Sequence, residues 1–161
     1  MLGDTDSELL FFLFLTQVAK LQGPSGSLAA EVPISGLLDA LRATMRLVRE
    51  VCDDETHRAL LTLMFTDGRR MIAVQGGRQL FFSTYKGKCS DRAVCPSLSA
   101  VCEAPTTTGY VNHLIISSER LQGENVWEPL EEDEMIAVDE NMRVFRAHTT
   151  RQSLPILGVG T

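Results

Sequence analysis

Apolar residues recur every three or four positions from Ile34 to Cys52, and this spacing stops at the acidic triplet Asp53, Asp54 and Glu55. Such spacing places apolar side chains on one face of a helix. After the triplet, residues 59–66 and 71–74 are rich in β-forming side chains, and Asp67-Gly68 between them is a hairpin turn signal. Helices followed by strands predict an α+β fold with a largely antiparallel sheet.

A second helix is predicted ahead of this one. Thr5-Asp6-Ser7-Glu8 fits the capping box that precedes an apolar helix. Asp6 would lie in the first turn, where a negative charge suits the positive end of the helix. Residues 9–18 are apolar nearly all round, so we expect this helix to be buried on several sides.

Further strands are predicted at residues 79–85, 110–117, 135–138 and 143–147. Between the first two of these, residues 86–109 show no periodicity and predict a long surface loop. Proline and glycine in residues 153–161 predict a loosely ordered tail. The sequence thus predicts one domain over residues 1–150 and a tail over residues 151–161.

The charge of the 161-residue chain limits its partners. Its formal net charge of −6 argues against binding to nucleic acid or to an anionic membrane. The longest fully apolar run, residues 9–15, is far shorter than the roughly 20 residues that a membrane-spanning helix needs. Acidic residues near the start differ from the basic start of a signal peptide. We therefore expect a cytoplasmic protein.

The cysteines and histidines do not form a recognisable site in the sequence. Cys52, Cys89, Cys95 and Cys102 include no C-x-x-C pair, and no histidine stands at ligand spacing from them. Reduced thiols are expected in the cytosol, with a Cys89–Cys102 or a Cys95–Cys102 disulfide as the alternative. His57, His113 and His148 are scattered and are expected to be structural, and no cofactor or metal is predicted.

Residues 3–10 (GDTDSELL) contain the pattern T-D-[ST]-E, and residues 65–74 (FTDGRRMIAV) contain a T-D-G turn between two strand segments. These segments resemble the corresponding segment and hairpin of the class II glutamine amidotransferases, a family of N-terminal-nucleophile hydrolases. Residues 113–121 (HLIISSERL), followed by 127–130 (WEPL) and 135–139 (MIAVD), resemble the ending of its small stand-alone branch. That branch includes γ-glutamyl amidohydrolases. The segments occur in the family's order over about residues 3–147.

The resemblance implies an αββα sandwich and a specific chemistry. In the family, an N-terminal cysteine attacks a glutamine or γ-glutamyl amide, and its own α-amino group serves as the base. An Asn-Gly pair forms the oxyanion hole, an arginine holds the substrate carboxylate, and an aspartate holds the substrate α-amino group. Only the last maps onto this sequence, at Asp6. Substrate binding and helix capping alone are the two interpretations of Asp6.

The departures from the family are as informative as the matches. The sequence begins Met1-Leu2 and contains no Asn-Gly pair, and none of its cysteines is N-terminal. It therefore looks like the C-terminal portion of such an enzyme, inactive alone. The alternative is a non-catalytic binding or scaffold module derived from that fold. Ser117 and Ser118 are expected to shape a turn.

The resemblance also implies partners for the chain. We expect a glutamine or γ-glutamyl compound to bind the full-length parent. We also expect self-association or binding to an N-terminal partner segment, with sheet edges near residues 60–65 and 114–116 open for pairing.

Overall fold

The computed structural model describes residues 5–23 and 31–150. They form two helices and seven strands, with two short 3-10 turns at Ser90–Ala93 and Ala100–Cys102. The predicted α+β class with antiparallel strands is therefore confirmed. The predicted tail over residues 151–161 lies outside the described residues. No helix among the described residues has the length and apolar character needed to cross a membrane.

The chain divides into two compact units, residues 1–59 and residues 60–161. The first unit contains α1 (Asp6–Leu21) and α2 (Ile34–Cys52), which pack on each other. The predicted bounds of α2 agree with the structure because its apolar stripe is regular. Its side chains Leu38, Leu41 and Met45 are fully buried.

The second unit contains two antiparallel sheets. The bounds of strands β1 to β7 are, in chain order, Leu63–Thr66, Met71–Val74, Phe81–Ser83, Ile115–Ser117, Glu128–Pro129, Glu134–Val138 and Val144–His148. The four-stranded sheet has the order β1–β2–β6–β7, and the three-stranded sheet has the order β4–β3–β5. Among the described strands, β1 and β4 are edge strands, as the sequence predicted for these segments.

One hydrophobic cluster joins the inner faces of the two sheets. Ala73, Ile136 and Val144 enter it from the four-stranded sheet, and Phe82 enters it from the three-stranded sheet. In the register of the first sheet, Ala73 is paired with Ile136, so both point to the same side. The cluster is the main core of this unit. Its other buried members are Leu80, Val111, Leu130 and Val138.

A buried carboxylate extends this core at one end of β6. Glu134 is 5% exposed, and its Oε1 accepts a hydrogen bond from Nε of Arg146 at 2.6 Å. The guanidinium of Arg146 also lies 5.2 Å from the ring centre of Phe82 on the facing sheet. The hydrogen bond to Glu134 raises the pKa of Arg146. A charge pair and a cation–π contact therefore link the two sheets beside the apolar cluster.

The turn between β1 and β2 is held by Asp67. Its Oδ1 accepts hydrogen bonds from the backbone amides of Arg69 and Arg70 at 2.9 and 2.7 Å. Its Oδ2 accepts from Nε and Nη2 of Arg70 at 3.0 and 2.8 Å. Gly68 takes the positive φ of 83° that this turn requires. Desolvation opposes ionisation, but the hydrogen bonds from Arg70 and Arg69 lower the pKa of Asp67 to about 2.

We expect Asp67→Ala to reduce the free energy of unfolding by about 1 kcal/mol near neutral pH, because several hydrogen bonds are lost in a partly exposed turn. The pKa is lower in the folded chain than its ordinary value of 3.8. The stabilisation is therefore complete above that value and is lost as the pH falls towards about 2.

Urea unfolding of both proteins between neutral and acid pH measures this difference. Glu140→Ala removes an exposed carboxylate from another turn and is the control. A difference for Asp67→Ala that stays constant down to the lowest pH contradicts the prediction.

Candidate functional site

The predicted N-terminal cap of α1 is present. Thr5 is the N-cap residue, and its Oγ1 accepts a hydrogen bond from the amide of Glu8 at 3.4 Å. Its carbonyl oxygen accepts from the amides of Glu8 and Leu9, both at 3.1 Å. These contacts fix where the helix begins and therefore where its first side chains project.

Asp6 is the first residue of α1, and its side chain is exposed. A carboxylate at this position interacts favourably with the positive end of the helix. The geometry leaves Asp6 accessible to a ligand. The sequence predicted no second site residue, so Asp6 is the one predicted site position that the structure places.

Large apolar side chains surround the start of α1 on its exposed side. Leu9 is 62% exposed, and Phe11 and Phe12 are also exposed, whereas Phe14 and Val18 are buried. The prediction that α1 is buried on several sides is therefore wrong for its first half. An apolar sequence shows that a helix favours burial but does not show which turns are covered. Exposed apolar side chains this close together are typical of an interaction surface.

The three histidines lie in separate places, as their spacing predicted. His57 Nδ1 is 3.5 Å from Asp54 Oδ1, and His148 Nε2 is 3.7 Å from Glu131 Oε2. Desolvation lowers the pKa of His113, with a smaller contribution from the charge of Lys86. Each histidine therefore has its own local environment rather than a shared site. Among the described residues, no group of three His, Cys, Asp or Glu side chains is arranged to hold a metal ion.

Ser117 has the structural role that the sequence predicted. Its Oγ accepts a hydrogen bond from the amide of Glu119 at 3.2 Å, at the end of β4. Ser118 is exposed. The contact of Ser117 stabilises the turn that follows the strand.

The segment after β3 is more ordered than its sequence indicated. Glu103 Oε1 accepts from the amide of Cys89 at 2.7 Å, and Glu124 Oε1 accepts from the amide of Ser90 at 2.8 Å. Arg92 forms an ion pair with Glu103, and Lys86 Nζ lies 3.1 Å from Glu124 Oε2. Glu103 and Glu124 thus accept hydrogen bonds from the backbone of this loop and also pair with two of its cations.

All four cysteines are free thiols in the structure. Cys89 is buried and Cys52 is exposed, whereas Cys95 and Cys102 are half-buried. Neither alternative disulfide, Cys89–Cys102 or Cys95–Cys102, is therefore present.

Cys102 has the most distinctive environment of these thiols. Its Sγ lies 2.9 Å from Nδ2 of Asn112 and 3.8 Å from Oγ of Ser99. The backbone of Ser99, then the side chains of Asn112 and Ser99, lower the pKa of Cys102 against desolvation and the charge of Glu103. The thiolate is the reactive form of cysteine, so this arrangement favours reactivity. The spacing of the cysteines in the sequence did not predict this environment, because the hydrogen-bonding partners of Cys102 come from two different turns of the loop.

Neither a protein-family model nor a curated protein matches this chain. The structure is similar to that of a glutamine aminotransferase class-II domain protein from Silicibacter pomeroyi, with a TM-score of 0.52 and 18% sequence identity. The similarity covers 91% of this chain and 52% of the other chain, so this chain spans about half the length of that protein. At this identity the match shows a shared fold of the class II glutamine amidotransferase type.

We expect Cys102 to react with iodoacetamide at a lower pH than an ordinary thiol, because its thiolate is stabilised by hydrogen bonds. Asn112→Ala removes one of these donors and should shift the pH midpoint of the reaction upwards. Mass spectrometry of each cysteine over a pH series measures this midpoint. The reaction of Cys52, which lies in the other unit, is the internal control. An unchanged midpoint for Cys102 in Asn112→Ala means that Asn112 does not stabilise the thiolate.

Proposed function

We propose that this chain is part of a class II glutamine amidotransferase-like domain whose longer parent hydrolyses a glutamine or γ-glutamyl amide. The observation that carries this proposal is the fold similarity, which extends over 91% of this chain but only 52% of the similar protein. The family segments in residues 3–10, 65–74 and 113–121 agree with it. The proposed fold of the parent is the αββα sandwich.

The proposed substrate class follows from the segments that resemble the small stand-alone branch of the family. That branch includes γ-glutamyl amidohydrolases. The parent would release ammonia or an amine by attack of an N-terminal cysteine on the amide carbon. This chemistry requires no cofactor or metal, and we propose that it takes place in the cytoplasm.

Asp6 is the proposed binding residue for the α-ammonium group of the glutamyl substrate. Its carboxylate is exposed in the first turn of α1, at the positive end of the helix. A carboxylate paired with an ammonium group forms a charge-assisted hydrogen bond. Leu9, Phe11 and Phe12 offer an apolar surface beside it that a further segment of the parent would cover.

The residues in this sequence do not supply the catalytic centre that the family uses. None of its cysteines matches the nucleophile, and it has no Asn-Gly pair for the oxyanion hole. The alternative proposal is a non-catalytic binding or scaffold module derived from the same fold. The coding sequence upstream of Met1 distinguishes them: an in-frame Met-Cys start and an Asn-Gly pair support the enzyme.

We expect this chain alone to release no ammonia from glutamine. Removing one oxyanion donor alone costs about 10²–10³ in rate, and the nucleophile is also missing from the residues present. A coupled ammonia assay on pure chain, with a buffer blank, measures this. Release above the blank contradicts the prediction.

In a longer protein that carries the nucleophile, Asp6→Asn should weaken productive binding by about 2–5 kcal/mol if the ion pair is desolvated. It should hardly change the melting temperature, because asparagine is tolerated at helix N-termini. Ser7→Ala, at the neighbouring exposed position, is the matched control. A kcat/KM that stays within about threefold means that Asp6 only favours the helix end.

A further inference from the structure

Strand β1 (Leu63–Thr66) forms an edge of the four-stranded sheet, and β2 is its neighbour on the other side. The strand consists of Leu, Met, Phe and Thr, and it contains no charged residue and no proline. Charged side chains and proline are two of the devices that protect a sheet edge from pairing, and β1 has neither of them.

The hydrogen bonds around β1 show which backbone groups point away from β2. The amide of Leu61 donates to the carbonyl oxygen of Gly76 at 2.7 Å. The amide of Asp67 donates to the carbonyl oxygen of Arg70 at 3.3 Å. In an antiparallel pair, every second residue bonds to the same neighbour. The odd-numbered residues of this segment therefore face β2. The N–H and C=O groups of Thr62, Met64 and Thr66 point outwards.

The side chains at this edge are also accessible. Met64 is 56% exposed, although its cross-strand partner Ala73 is fully buried in the cluster between the sheets. Thr66, on the same face as Met64, is exposed. The three-stranded sheet therefore shields this face of β2 from solvent but leaves the same face of β1 accessible.

The opposite edge of the same sheet is better protected. Strand β7 carries Arg146 and His148 at the positions whose backbone points outwards. The amide of Val144, at the start of β7, already donates to the carbonyl of Gly109 at 2.8 Å. An ionised side chain such as that of Arg146 on an edge strand discourages pairing with another chain. Of the two edges, β1 is the one open to a partner strand.

We propose that β1 pairs in antiparallel fashion with β1 of a second copy of this chain, across a two-fold axis at Met64. A two-fold interface must be self-complementary, and the outward residues Thr62, Met64 and Thr66 are symmetric about Met64. Met64 would exchange two backbone hydrogen bonds with the partner's Met64. Thr62 would exchange two with the partner's Thr66. The hydroxyls of Thr62 and Thr66 donate to the carbonyl oxygens of Arg78 and Arg70 of their own chain, both at 2.9 Å, so the pairing would rest on backbone hydrogen bonds.

The turn between β1 and β2 limits the length of this interface. Pairing in the same register reaches Leu60, which lies opposite the partner's Gly68. Gly68 has a positive φ of 83°, so the extended backbone that pairing needs ends there. The paired segment is therefore short and buries less than the roughly 1,200 Å² of a stable interface. The dimer is weak and depends on concentration.

The test is the mass and amide exchange of the chain from about 5 to about 500 µM, a range that brackets weak association. Light scattering should show the mass rising from 17.8 kDa towards twice that value. NMR should show slower exchange at high concentration for the amides of Thr62, Met64 and Thr66. Leu63 and Phe65 already bond to β2, so their amides are the internal control.

Met64→Lys should weaken dimerisation at least about tenfold, because it places two like charges at the two-fold axis. Val94→Lys is the matched control, since Val94 is 79% exposed in a loop away from this edge. Circular dichroism checks that the variants fold. If Met64→Lys does not fold, Thr66→Lys places a charge on the same edge and should have the same effect on dimerisation.

A monomer at every concentration overturns the proposal. So does a dimer that Met64→Lys leaves unchanged, or one that protects the amides of other residues instead. Pairing of the edge only with a segment encoded upstream of Met1 also overturns it. These measurements do not involve amide hydrolysis, so their outcome is independent of the proposed function.

Discussion

Ile136 and Val138 lie on β6, an inner strand of the four-stranded sheet. Strand β6 pairs with β2 on one side and with β7 on the other, and its inner face packs against the three-stranded sheet. Ile136 is fully buried in this position. Because protein interiors are close-packed, the spacing of the two sheets is set by the side chains between them. Glu134 at the end of the same strand adds a polar link through Arg146 to Phe82.

The sequence predicted local elements well where one physical signal dominated. The stripe from Ile34 to Cys52 defined α2, and Asp67-Gly68 defined the β1–β2 hairpin. It did not predict β5 (Glu128–Pro129), because two residues with a proline carry no strand signal of their own. This strand exists because β3 offers it a partner. Non-local pairing of this kind cannot be derived from local preference.

The candidate site was predictable only in part, for the same reason. Asp6 was identified by resemblance and by its place at a helix start, and both are local in sequence. The hydrogen bonds of the Cys102 thiol come from Ser99 and from Asn112. Asn112 lies ten residues later in the chain, and the turns of the loop place it beside the thiol. Glu103 and Glu124 order the loop through backbone amides, and an isolated glutamate in a sequence does not reveal such a contact.

All strands of the three-stranded sheet come from residues 75–133, the segment that separates β2 from β6. The hairpins β1–β2 and β6–β7 are local and can form early, but β2 can pair with β6 only when this long segment returns. Closing such a loop costs entropy that the contacts it makes must offset, and topologies with distant pairings fold slowly. Completion of the first sheet therefore depends on the same chain segment that forms the second. A break in the chain between residues 75 and 133 would put β2 and β6 on separate fragments and would therefore weaken the central pairing of the first sheet as well as the second sheet.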